Sequence, residues 1–160
     1  MDIIRNGALA TDTWVLAGDE AALEPGDILV SAERWASVDV AAHRGRVGVV
    51  LCADALIEEV AFDYTVMPLI AIAFEDCTDG RGYSLARLLR RAGYAGDLRA
   101  IGNVRRDQIF YLMRCGFTSF AIPPGCDDQE LLRGLGDFSL VYQTAADGRD
   151  PIPRLRSRRA

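Results

Sequence analysis

Leu69-Ile70-Ala71-Ile72-Ala73-Phe74 is an unbroken apolar run of strand length, and it narrows the folds open to this chain more than any other feature. Such a run suits a strand covered on both faces, as in a parallel sheet, rather than one half exposed to water. A polar loop comes next, then Leu85, Leu88, Leu89 and Ala92, spaced i, i+3, i+4, i+7 along one helical face. The spacing predicts a helix from Ser84 to Ala92. Ser84 is the expected N-cap, its hydroxyl accepting from a first-turn N–H that has no intrahelical partner.

The alternation continues downstream. Leu98 to Ile101 reads as a strand, and Asn103 caps a helix running to Arg114 with Ile109, Leu112 and Met113 inward. Phe120 to Ile122 is a further strand. Asp127 and Glu130 form an Asp-x-x-Glu box ahead of Leu131, Leu132 and Leu135, and Phe138 to Tyr142 reads as the last strand. Upstream, Val47 to Leu51 is a buried strand and Ala55 to Phe62 a helix. Two helix ends echo each other, Arg91-Ala92-Gly93-Tyr94 and Arg114-Cys115-Gly116-Phe117. In each, glycine permits a left-handed cap and the aromatic folds back on Leu89 or Leu112. The expected fold is therefore α/β, with a mainly parallel sheet built from βα repeats behind a less regular N-terminal lead-in. Half-barrel-like and doubly wound arrangements both remain open.

The lead-in, residues 1–46, packs on the same domain as the α/β core, 47–145. It holds the short apolar runs Trp14 to Leu16 and Ile28 to Val30, the turn Pro25-Gly26-Asp27, and Ser31 or Ser37 as a helix start. Residues 146–160 read as a basic flexible tail, with Arg154, Arg156, Arg158 and Arg159 in the last seven positions. The whole chain carries −5; without those four arginines the rest stands at −9. That balance argues against binding to nucleic acid or an anionic membrane.

All 18 basic residues are arginine, which removes lysine Schiff-base chemistry. Cys52, Cys77, Cys115 and Cys126 contain no CxxC and none of the spacings of a zinc or iron–sulfur site, so no metal and no cofactor is expected. Reduced thiols, the lack of a signal-peptide pattern and the lack of a long apolar run point to a cytoplasmic protein. His43 is the only histidine and lies in the lead-in, which disfavours a histidine-based triad.

In parallel α/β folds ligands collect outside the carboxyl ends of the strands. That rule selects the loops Glu75 to Tyr83, Gly102 to Arg106 and Pro123 to Asp128. In the first, Gly80 and Gly82 flank Arg81 ahead of Ser84. Glycines let backbone N–H groups approach a ligand, a helix start favours an anion, and Arg81 offers a bidentate fork. Asp79 is placed to orient Arg81 or to act as an acid or base. The plainer reading is a tight turn with Arg81 paired to a nearby acid. The second loop brings Asn103, Arg105, Asp107 and Gln108, where Asp107 suits a helix first turn. These nine residues form the candidate anion- or partner-binding set; no catalytic residue is assigned. Cys77 is the one thiol in a polar loop.

The string Asp79-Gly80-Arg81-Gly82-Tyr83-Ser84-x-Ala86-Arg87-x-Leu89-Arg90 continues through Gly93-Tyr94-x-Gly96-Asp97-Leu98-Arg99-Ala100-Ile101-Gly102, Asp107-Gln108 and Arg114-Cys115-Gly116-Phe117. It resembles the signature of the bacterial domain of unknown function 934 family. Cys77 departs from that pattern, which has an aromatic or other apolar residue there. The resemblance implies an accessory protein or oxidoreductase of assimilatory sulfite reduction, because members are encoded beside sulfite reductase. It brings no established catalytic residues. It makes sulfite reductase and a small oxyanion the candidate partners. The alternatives are a small-molecule α/β enzyme or a non-catalytic scaffold. An open sheet edge leaves room for a homo-oligomer.

Overall fold

The computed structural model describes residues 2–19, 22–60 and 62–158. The chain opens with a hairpin, β1 (Asp2–Arg5) and β2 (Ala8–Thr11). Asn6 and Gly7 turn it with φ of 50° and 79°, the left-handed pair a type I′ turn requires. Six parallel strands follow: β3 (Val15–Leu16), β4 (Ile28–Ser31), β5 (Val47–Cys52), β6 (Leu69–Phe74), β7 (Asp97–Gly102) and β8 (Ser119–Ala121). They lie side by side in chain order, and β1 closes onto β8 antiparallel, giving the order β2-β1-β8-β7-β6-β5-β4-β3. The helices are α1 (Ala32–Trp35), α2 (Arg81–Arg91), α3 (Arg106–Cys115), α4 (Asp128–Gly134) and α5 (Ile152–Ser157).

This order decides between the two arrangements left open by the sequence. A doubly wound sheet reverses its strand order at a switch point and carries helices on both faces. Here each parallel strand adds on the same side of the last, so the crossovers fall on one face. Leu85, Leu89, Ile109, Leu112 and Leu131 from the helices pack with Ile70, Ile72, Phe74, Leu98, Ala100 and Phe120 on that face. The opposite face is lined by Trp14, Leu29, Leu69 and Ala71, and among the described residues no helical side chain joins that cluster.

Chain connectivity requires the sheet to curl. Laid flat, eight strands would span about 34 Å between the edge strands. Only Asp12, Thr13 and Trp14 join edge strand β2 to edge strand β3. That link reaches at most about 15 Å. The sheet is a half-barrel, and the link runs into its interior. Trp14 is 7% exposed, and Gly48 makes room for it: a Cβ there would lie 3.1 Å from the indole. Asp12 meets Arg99, whose side chain is 1% exposed; Ser119, fully buried, accepts from Arg99 Nε at 3.2 Å.

Several sequence expectations are corrected. The helix over Ala55–Phe62 is reduced to a 3₁₀ turn at Ile57–Glu59, with another at Tyr64–Val66. β-branched Ile57, Val60, Thr65 and Val66 and the following Pro68 disfavour a longer helix. α2 starts at Arg81, a turn earlier than expected, so Ser84 lies within it and is not its cap. Arg105, not Asn103, is the N-cap residue of α3. Ser31 caps α1, whereas Ser37 only donates to the Arg34 carbonyl. Phe138–Tyr142 forms no strand. The βα pattern would put it beside β8, but β1 already occupies that edge through Ile3, Ile4 and Arg5. In the C-terminal region, residues 152–157 form α5 with Arg154 and Arg156; Arg159 lies outside the described residues.

Candidate functional site

The loops leaving β5, β6 and β7 meet at the carboxyl end of the half-barrel. In the β6 loop, Asp76 accepts from the Thr78 N–H at 2.8 Å and from its hydroxyl at 2.9 Å. These bonds, helped by the Arg105 charge, hold the Asp76 carboxyl below the usual carboxylate range. Asp79 then accepts from the Arg81 N–H at 3.0 Å, supplying the first-turn bond expected of Ser84. Its carboxylate also takes the Arg81 fork: Nε donates to Oδ1 at 3.0 Å and Nη2 to Oδ2 at 2.8 Å. Arg81 Nη1 reaches Asp54, just past β5, at 3.3 Å. The Arg81 hydrogen bonds lower the Asp79 acid, and Asp79 in turn raises the guanidinium.

A second tie joins the β6 and β7 loops. The Gln108 side-chain amide donates to the Cys77 carbonyl, while its oxygen accepts from the Arg105 N–H at 3.0 Å. The Asn103 N–H donates to the Phe74 carbonyl at 2.7 Å. Gly102, at φ 89°, makes that approach feasible, since a Cβ there would sit 2.4 Å from the same oxygen. Three successive loops are thus cross-tied into one polar rim.

The candidate residues divide on this rim. Asp79, Arg81 and Gln108 carry its ties, Arg105 lies near Asp76, and Asp107 occupies the first turn of α3. Asn103 contributes its backbone. Gly80 is the N-cap residue of α2, with nothing near its missing Cβ. Gly82 is buried, and a Cβ on it would lie 2.6 Å from the Phe74 ring, so its role is close helix-to-strand packing. Ser84 is exposed and lines a cavity of about 200 Å³ with Asp54, Arg81, Leu85 and Leu88. The loop after β8, residues 123–128, shows no tie to this rim among the described residues; its Asp127 caps α4 through the Gln129 and Glu130 N–H groups.

Carboxylates dominate the field here. Partial burial, then the charges of Asp54, Glu33 and Glu75, push the Cys52 thiol up. Burial raises the Tyr83 phenol to about 12 and also raises the Cys115 thiol. His43 is engaged elsewhere, its Nε2 2.7 Å from the Gly26 carbonyl. Among the described residues no His, Cys, Asp and Glu cluster is arranged to hold a metal ion, and no helix is long and apolar enough to cross a membrane.

Two groups escaped the sequence reading. Asp54 follows a predicted strand, so the carboxyl-end rule could have included it. Arg99, flanked by Leu98, Ala100 and Ile101, was a charge inside a buried strand and so needed a buried partner.

The family model for bacterial proteins of unknown function, DUF934, matches residues 48–153. This chain belongs to the DUF934 family. The match runs from β5 into the start of α5, so it contains all three rim loops and leaves β1 to β4 outside. No curated protein matches the chain.

Proposed function

We propose that this DUF934 protein is an accessory protein of assimilatory sulfite reduction that recognises its partner through the rim at Asp79–Ser84 and Arg105–Gln108. The sulfite-reduction assignment rests on the family resemblance; the mode of action rests on the rim. The observation that carries it is the double tie, Arg81 to Asp79 and Asp54, and Gln108 to Cys77. Surfaces held in place before binding lose little freedom on association, which favours partner recognition. A free oxyanion is less well served. It would have to displace Asp79 or Asp54 from Arg81 among further carboxylates. The adjacent cavity, about 200 Å³, is below the usual size for an organic ligand.

The test is growth on sulfate of a strain in which the native gene is replaced by Arg81→Ala. Growth should fail on sulfate and recover with cysteine, at unchanged protein level. Normal growth on sulfate would overturn the role of the turn. Visible flavin absorbance in the purified protein would instead favour an oxidoreductase.

A further inference from the structure

The segment Phe138–Tyr142, excluded from the sheet by β1, lies beside α3 and presents large apolar side chains to solvent. Phe138 is 47% exposed, Leu140 60% and Tyr142 75%, while Val141 between the last two is buried. Tyr111 on α3, 51% exposed, extends the patch; its ring lies 6.0 Å from that of Phe138. Exposed clusters of this kind mark interaction surfaces.

The backbone beneath is fastened. Arg149 donates to the Phe138 carbonyl at 3.2 Å, the Ile152 N–H to the Val141 carbonyl at 2.8 Å, and Arg114 to the Gln143 carbonyl at 2.5 Å. The aromatic groups are therefore displayed on an anchored segment. Arginines border them. Arg149 lies over the Phe110 ring at 5.6 Å and pairs with Asp147 at 3.5 Å; α5, bonded to Val141 through Ile152, carries the exposed Arg154, 3.8 Å from Asp150, and the exposed Arg156, which makes no ion pair among the described residues. Tyrosine, phenylalanine and arginine are the residue types enriched at protein interfaces.

We infer that this aromatic and arginine surface docks an acidic protein segment bearing alternating apolar side chains. Charge complementarity selects that occupant, because Arg149, Arg154, Arg156 and Arg158 outnumber the acids they meet, Asp147 and Asp150. A second copy is disfavoured because the acidic surface it would offer is the rim, a different patch, and such a head-to-tail contact builds open filaments unless its rotation closes a ring. A membrane is disfavoured because the chain as a whole carries −5, which repels an extended anionic surface more than a short acidic segment.

The experiment titrates the full chain into a fluorescent peptide of alternating Glu and Leu, followed by anisotropy, with an alternating Lys and Leu peptide as control. The acidic peptide should bind, and added salt should weaken it. Leu140→Ser with Tyr142→Ser, or Arg154→Glu with Arg156→Glu, should each weaken it about tenfold or more, with the circular dichroism spectrum unchanged. Arg81→Ala should leave it unchanged, which separates this surface from the rim. No binding, equal binding of the basic peptide, or no effect of the paired substitutions would overturn the inference. So would stronger binding to phosphatidylcholine vesicles containing phosphatidylserine. Self-association in sedimentation that the same substitutions abolish would assign the surface to a second copy instead.

Discussion

Arg99 Nη1 donates to both carboxylate oxygens of Asp12, at 2.9 and 2.8 Å, across 87 residues of sequence. The bond holds the link between the sheet's two edge strands against a central strand. Asp97 lies beside it, accepting from Thr118 and Ser119 at 2.7 Å and pairing with Arg5 at 3.1 Å. Asp12→Ala would leave the buried Arg99 only its longer contact with Asp97, at 3.6 Å, so it should cost up to about 3–5 kcal/mol, the loss for a buried charge with no partner. Urea unfolding measures this directly, and a loss below about 1 kcal/mol would mean that the link is held by Trp14 packing instead.

The two glycines of the rim turn should respond differently. Gly82→Ala forces a methyl into the Phe74 ring and should destabilise by about 1–3 kcal/mol. Gly80→Ala meets nothing and should stay within about 0.5 kcal/mol. Thermal unfolding of the two variants checks the contrast. Equal effects would place the α2 start elsewhere.

Asp27 supplies a pH signature. Hydrogen bonds from the Arg46 side chain, opposed by partial burial, bring its carboxyl down to about 2 from an ordinary 3.8. Because the folded value is the lower one, the pair's contribution is present above pH 3.8 and is lost as pH falls through about 2. Asp27→Asn should therefore be less stable than the parent at neutral pH, with the gap closing across that window. A gap independent of pH would show that the ionised carboxylate is not the stabilising species.

Much of the βα core was legible because its signals are local. The cap glycines adopt φ of 99° at Gly93 and 112° at Gly116. The Tyr94 N–H bonds to the Leu89 carbonyl at 3.0 Å and the Phe117 N–H to Leu112 at 3.2 Å, as the repeated ends imply. The errors came from competition within the chain. Phe138–Tyr142 has a strand's composition, but β1 took the edge of β8 that the βα pattern would give it. The Asn6-Gly7 turn was a readable hairpin signal that went unused. At the rim, a helix start near Ser84 was readable, whereas Asp79 accepting from the Arg81 N–H and Asp54 pairing with Arg81 depend on folded distances.

The cross-tied rim is proposed to recognise a partner in sulfite assimilation. Sedimentation velocity of the purified chain with assimilatory sulfite reductase tests it most directly. The predicted result is a complex weakened about tenfold or more by Arg81→Ala and by Gln108→Ala, both variants remaining folded. Absence of a complex with the parent chain, or undiminished binding by both variants, would contradict it.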